Sequence, residues 1–238
     1  GLARPSSLCH GRLPDLLSLT LPKTRPNLNG RASQASQGLL ARDREVCNAL
    51  RSLLASEPES EPGILCHLSQ VIEPGAHIYL GNSLPIREWD LAATRDDRGY
   101  EFSASRGLNG IDGQVSTFLG LIRAGRPHWA ILGDLTALYD LVGLWPLAQI
   151  DENISVRLVV INNGGGKIFE RIFPQPEFQN RHALDLAPWA ALWKLPYRLL
   201  DSRVPADLAA TTPARCMIEF RPDAEATRRF WRYYEKIG

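Results

Sequence analysis

The chain of 238 residues is short of sulfur, of net charge and of long apolar runs, and each shortage removes a class of function. Cysteine occurs four times, at Cys9, Cys47, Cys66 and Cys216, and never as a CxxC pair. A disulfide framework or a zinc ribbon needs regularly spaced pairs, so these read as reduced, mostly buried thiols. Cys9-His10 and Cys66-His67 are adjacent residues, which seldom converge on one ion. Twenty-seven basic residues against 26 acidic ones leave a net charge of +1, with no excess to hold nucleic acid. Arg228, Arg229 and Arg232 read as a solvated helix face. No apolar run approaches the ~20 residues of a membrane span. The opening Gly1-Leu2-Ala3-Arg4-Pro5 shows neither an initiator Met nor a signal peptide, and reads as a cut inside a longer, cytoplasmic chain. There is no Gly-x-Ser-x-Gly elbow, and Gly107-Leu108-Asn109-Gly110 is too short for a dinucleotide fingerprint.

What is present is alternation. Residues 1–38, rich in Pro, Arg, Asn, Ser and Gln, are expected as a linker or the end of a preceding domain. Residues 39–238 are expected to form one α/β domain. Helical spacing of Val46, Leu50, Leu53 and Leu54 predicts a helix over 43–55. Residues 56–63, with two prolines and three glutamates, read as an exposed connection. Strands are expected at 77–80, 100–103, 129–132, 157–161, 197–200 and 216–220, with helices between them. One of these helices places Leu135, Leu138, Leu141, Val142 and Trp145 on a single face. Strands alternating with helices of this length predict a three-layer fold, a parallel sheet of five or six strands with helices on both faces of a single core.

Two strand ends carry chemistry. His128-Trp129-Ala130-Ile131-Leu132-Gly133-Asp134 and Val156-Arg157-Leu158-Val159-Val160-Ile161-Asn162-Asn163-Gly164-Gly165-Gly166 are apolar runs that end in glycine and oxygen-bearing side chains. Ligands of open α/β sheets bind beyond the carboxyl ends of the strands. A carboxylate, an amide oxygen and a glycine carbonyl are hard donors suited to Mg²⁺ or a similar ion. Consecutive glycines let backbone N–H groups approach phosphate oxygens. Asp134 also suits a helix N-cap, a role compatible with a site at that helix terminus. His67, His77, His128 and His182 show no acid partner at a recognisable spacing and read as ordinary packed or surface residues.

Asn162-Asn163 follows Asp134 by 28 positions, which resembles the diphosphate signature of thiamine-diphosphate enzymes, although Leu135 stands where that signature usually has glycine. Four blocks narrow the resemblance. Gly81-Asn82-Ser83-Leu84-Pro85-Ile86-Arg87, Ser105-Arg106-Gly107-Leu108-Asn109-Gly110-Ile111-Asp112-Gly113, Gly133-Asp134-Leu135-Thr136-Ala137-Leu138-Tyr139-Asp140 and Asn162-Asn163-Gly164-Gly165-Gly166-Lys167-Ile168-Phe169 occur in order. Together they are similar to the C-terminal domain of the 2-succinyl-5-enolpyruvyl-6-hydroxy-3-cyclohexene-1-carboxylate (SEPHCHC) synthase family of menaquinone biosynthesis.

The resemblance implies a thiamine-diphosphate-binding fold and a transferase that joins decarboxylated 2-oxoglutarate to isochorismate. It implies thiamine diphosphate with Mg²⁺ or Mn²⁺ held by Asp134, Asn163 and the carbonyl of Gly165, with Gly164 as the alternative carbonyl and Asn162 as a neighbour. Gly133 would meet the diphosphate, Thr136 and Ala137 would offer it backbone N–H groups, and Ile111 would prop the bent cofactor. Ser83, Arg87 and Arg106 would face the dicarboxylate substrates, guanidinium groups being suited to carboxylates. Ile168, Phe169 and Ile172 would wall the reacting atoms. Lys167 departs from the family pattern. The activating glutamate is expected on a separate pyrimidine-binding domain, contributed across the interface of a homodimer or homotetramer, so that this chain alone should not catalyse. Two other readings stay open: another thiamine-diphosphate decarboxylase or carboligase, and a non-catalytic α/β interaction domain.

Overall fold

The β-branched and aromatic segments pair as parallel strands. A computed structural model describes residues 34–107 and 109–237; Cys9-His10, the apolar patch at 13–21 and Leu108 lie outside them. The chain divides into two units between Val46 and Cys47, within the helix α1 (Gln34–Ser56). In the larger unit the chain runs through α2 (Glu61–Val71), β1 (His77–Leu80), α3 (Leu84–Ala92), β2 (Glu101–Ser103), α4 (Gln114–Gly120) and β3 (His128–Gly133). It continues through α5 (Asp134–Leu138), β4 (Val156–Ile161), α6 (Ala187–Leu192), β5 (Tyr197–Leu200), α7 (Leu208–Thr211), β6 (Arg215–Phe220) and α8 (Ala224–Tyr234). The six strands form one all-parallel sheet in the order β2-β1-β3-β4-β6-β5, as expected.

Strand β4 is buried at every position, as a strand covered on both faces must be. Successive side chains point to opposite faces. Ile78, Trp129, Ile131, Val159 and Ile218 therefore pack with Leu65 and Leu68 of α2, whereas Tyr79, Ala130, Leu132, Leu158, Val160 and Met217 pack with Phe118 of α4 and Trp189 of α6. The expected single core is thus two, divided by the sheet, with a smaller third cluster where Leu53 and Leu54 meet Phe230 of α8. Arg157 is the charged exception in β4. Its guanidinium reaches Glu73 at 2.9 Å and lies over the Trp129 ring at 4.8 Å, so the buried charge is paired. Of the described cysteines, Cys216 is buried, Cys66 half-buried and Cys47 exposed.

Two expectations are corrected. Residues 56–63 are not an exposed connection: Glu57, Ser60 and Glu61 are buried. Ser60 caps α2 by accepting the N–H of Gly63 at 3.0 Å, and Glu57 pairs with Arg229 of α8 at 2.8 Å. Proline and glutamate mark exposure only while the carboxylates lack partners, and here they have them. The long helix expected over 135–145 stops at Leu138 and gives way to turns and a 3₁₀ helix, Trp145–Gln149. Asp140 ends it. Its carboxylate takes the backbone N–H and hydroxyl of Ser116 at 2.8 and 3.1 Å, and a side chain at Gly143 would meet that carboxylate at 2.5 Å. Val142 and Trp145 are left exposed.

At the amino ends of β1 and β3, register sets His77 opposite His128. Their Nδ1 atoms lie 3.0 Å apart, His77 Nε2 meets the Ser103 hydroxyl at 2.9 Å, and His128 Nε2 meets the Arg123 carbonyl at 2.7 Å. One set of tautomers satisfies all three contacts: Ser103 donates to His77, His77 to His128, and His128 to the carbonyl. In that arrangement both rings are neutral. Burial holds both below the usual histidine range; Arg126 and Arg123 add to this for His77, and Glu101 opposes it for both. The unfolded chain takes up protons below about pH 6.5 while the folded pair does not, so folding loses stability as pH falls through that range. A His77→Asn, His128→Asn double variant should be less stable than wild type at pH 8 and approach it by pH 5, measured by urea unfolding. A gap that stays constant with pH would show that the pair does not titrate as described.

Candidate functional site

The strand order changes direction between β1 and β3, because the chain leaves β1 for the edge at β2 and then returns to the other side. Loops diverge at such a point and leave a crevice at the carboxyl ends of the strands. Here a cavity of about 510 Å³ opens there, lined by Asn82 and Ser83 after β1, Gly133 to Thr136 at the end of β3, and Asn163 and Gly165 to Phe169 after β4.

Asp134 is the fixed point. It is 2% exposed. Its Oδ2 accepts the N–H groups of Gly164 and Gly165 at 2.8 and 2.9 Å, and its Oδ1 accepts that of Leu135 at 2.6 Å. Burial pushes its carboxyl up from the ordinary value, against the pull of these N–H groups and of His182. The glycines are needed for this cradle. Gly164 and Gly165 have φ of +82° and +143°, and a Cβ at Gly165 would meet the Gln179 carbonyl at 2.5 Å.

Asn162 and Asn163 divide the work. Asn162 turns away from the cavity, donating to Glu219 at 3.0 Å. Asn163 lines it and donates Nδ2 to Glu61 at 2.9 Å, while its Oδ1 is buried with no partner. The carbonyl of Gly164 accepts the N–H of His182 at 3.1 Å; that of Gly165 accepts no hydrogen bond among the described residues. No three His, Cys, Asp or Glu side chains are placed together to hold a metal ion among the described residues. A cation in this cavity would therefore rest on one carboxylate and neutral oxygens, the donor chemistry of a hard ion that shares a phosphate. The unpartnered Asn163 oxygen fits such an ion.

The opposite wall is basic. Ser83 has φ +74° and ψ −132°, a strained conformation for a residue with a side chain, at the start of α3. Its carbonyl accepts Arg87 Nη1 at 2.6 Å, and Arg106 Nη1 donates to Asn82 Oδ1 at 3.1 Å. Asn82 is in turn tied to the glycine-rich loop through Gly110 at 2.7 Å and Gln114 at 2.9 Å. Neither Arg87 nor Arg106 has a carboxylate partner among the described residues, so each guanidinium has donors to spare.

Of the residues expected at the site, Ser83, Arg87, Arg106, Ile111, Gly133, Asp134, Thr136, Asn163, Gly165, Ile168 and Phe169 line this cavity. Two do not. The side chain of Ala137 faces the core beneath α5, its expected contact being the backbone N–H, and Ile172, exposed, lines a neighbouring cavity of about 660 Å³. The reason is local: the short helix turns Ala137 inward, and the loop after Phe169 carries Ile172 past the wall. Three residues were missed. Glu61, buried, lines both cavities. Glu88 of α3 is buried beside it without a hydrogen-bonding partner. Burial, then the neighbouring Glu61, raise the Glu88 carboxyl well above the usual range; burial pushes Glu61 up to about 7 despite its bond from Asn163. His182, read as having no acid partner, has Nε2 3.2 Å from Asp134 Oδ2, although the approach is off line for a hydrogen bond. All three lie far in sequence from the residues they meet, so no spacing could have found them.

No family model matches the chain. Individual proteins do. The chain is 42% identical to the 2-succinyl-5-enolpyruvyl-6-hydroxy-3-cyclohexene-1-carboxylate synthase of Bdellovibrio bacteriovorus, over 82% of this chain and 37% of that protein. It is 36% identical to the synthase of the same name from Akkermansia muciniphila, over 96% of this chain and 43% of the other. For the Roseiflexus castenholzii synthase the figures are 35%, 84% and 36%. The chain thus spans less than half the length of each of these relatives. Over most of its own length this chain resembles the SEPHCHC synthases, and the stretch it resembles is a part of each.

Proposed function

We propose that this chain is the diphosphate-binding, C-terminal portion of a thiamine-diphosphate-dependent SEPHCHC synthase. The observation that carries the reading is the meeting, at the ends of β3 and β4, of the buried Asp134 carboxylate and the unpartnered Asn163 oxygen. Asp134, Asn163 and the Gly165 carbonyl would hold Mg²⁺ or Mn²⁺. The choice of Gly165 over Gly164 is supported by the His182 N–H, which already occupies the Gly164 carbonyl. Thr136 would meet the diphosphate and Ile111 the bent cofactor. Bound thiamine diphosphate would supply the nucleophilic carbon for decarboxylation of a 2-oxo acid and transfer of the remainder.

The protein's own part is binding and placement. Arg87 and Arg106, each with spare N–H donors, suit the carboxylates of 2-oxoglutarate and isochorismate. Ser83, whose carbonyl accepts Arg87, stands on a strained turn that the Asn82–Gln114–Gly110 bonds hold in place. Ile168 and Phe169 would keep water from the reacting atoms. The activating acid would come from a pyrimidine-binding domain across a subunit interface, and the natural assembly would be a homodimer or homotetramer in the cytoplasm. Among the described residues no helix is long and apolar enough to cross a membrane.

Two outcomes follow for the intact enzyme. Asp134→Ala should abolish Mg²⁺-dependent retention of thiamine diphosphate, since it removes the one anionic ligand and releases three backbone N–H groups; unchanged affinity in calorimetry would take Asp134 out of the site. Arg87→Ala and Arg106→Ala should each lower kcat/KM by roughly tenfold to a hundredfold, one lost charge-assisted pair being worth about 1.5–3 kcal/mol. Cofactor affinity should hardly change. Wild-type kinetics with both substrates would make the arginines structural and favour a different thiamine-diphosphate carboligase.

A further inference from the structure

Glu61 stands at the cavity, yet the proposed ligand set does not use it. It is the first residue of α2, is 2% exposed, and lines the cavity with Asp134 and Asn163. Three elements hold it in place. Ser60 caps the helix at its own position, Glu61 N–H donates to the Thr227 hydroxyl of α8 at 3.1 Å, and Glu88 of α3 packs beside its carboxylate. Both carboxylate oxygens face Asn163 Nδ2, at 2.9 and 3.2 Å.

A carboxamide has one donating end and one accepting end, and a half-turn about its last bond exchanges them at little cost. Glu61, as the carboxylate that its two contacts with the donating Nδ2 require, accepts only. With Glu61 on the donating end, the end left over is Oδ1, and that atom is buried without a partner. A buried polar atom in this state calls for an explanation, such as an ion it awaits. Presented the other way round, the amide would turn N–H groups toward a cation and repel it.

We propose that Glu61 is a positioning residue, which locks the Asn163 amide so that its oxygen, rather than its nitrogen, is available to the cation. This rests on the reading of Asp134 and Asn163 as a cation site. Partners of this kind behind a metal ligand fix its orientation and raise its basicity.

The test is an interchange of the two functional groups, read by calorimetric titration of the full chain with Mn²⁺ and thiamine diphosphate. Glu61→Gln leaves a side chain that can either accept from or donate to Asn163, so both amide orientations become allowed. Affinity should fall on the order of tenfold. Removing a buried acid beside Glu88 should not lower the unfolding midpoint, which separates this loss from misfolding. Asn163→Asp sets a second carboxylate against Glu61 and should weaken binding at least as much. The double variant Glu61→Gln, Asn163→Asp restores a donor facing a carboxylate with the roles reversed, and leaves one carboxylate oxygen for the ion. It should recover to within roughly threefold of wild type, a coupling that independent sites do not show. If Glu61→Gln binds like wild type, or the double variant is as weak as the product of the singles, the proposal is overturned. Asp134→Ala separates the two levels. If it binds as well as wild type, the cation site itself is wrong and the proposal falls with it. If it loses binding while the interchange shows no recovery, only the role of Glu61 is refuted.

Discussion

A carboxylate shut away from water must find its hydrogen bonds in the protein, and Asp134 finds three in backbone N–H groups. Bonds of this charge-assisted kind are worth about 1.5–3 kcal/mol each. Two of them come from the loop after β4, so the end of β3 is bound to the end of β4 through one side chain. That demand sets the backbone of Gly164 and Gly165, which only glycine adopts easily, and it brings the loop from Gln179 to His182 against them. Neutralising Asp134 would loosen all of these at once.

The sheet places this fixed point where a ligand can use it. All six strands run the same way, so every loop that follows a strand emerges on one side. The change of direction between β1 and β3 parts the loops there. One wall then carries an acid and unspent oxygens, and the other carries guanidinium groups with unspent donors. Such a cavity suits a cation that bridges a diphosphate on one side and carboxylates on the other. The relatives named as SEPHCHC synthases match most of this chain, and the chain spans only part of each.

Much of this was legible in the sequence because it is local. Strands such as Val156–Ile161 are apolar at almost every position, and their polar ends mark where the run leaves the core. The site residues come in short blocks that follow strands, so Asp134, Asn163, Arg87 and Arg106 could be placed before any contact was known. The illegible part is pairing across the fold. Glu57 and Glu61 look solvent-exposed by composition, and are buried because Arg229 and Asn163 meet them. His77 and His128 look ordinary until the register sets them side by side. The helix after Asp134 has helical spacing through Trp145, but Asp140 spends its carboxylate on Ser116 and ends it. Ile172 misses the cavity because the direction of one loop decides where it points.

In the proposed site Asp134, Asn163 and Gly165 jointly hold a divalent cation that carries a diphosphate. Crystals grown with Mn²⁺ and thiamine diphosphate, with anomalous data collected at the manganese edge, address it directly. The account predicts one anomalous peak in the cavity beside Asp134, within coordination distance of its carboxylate, the Asn163 Oδ1 and the Gly165 carbonyl, with the diphosphate on its open side. An anomalous peak elsewhere, or a diphosphate bound in the cavity without metal at these three oxygens, would contradict it.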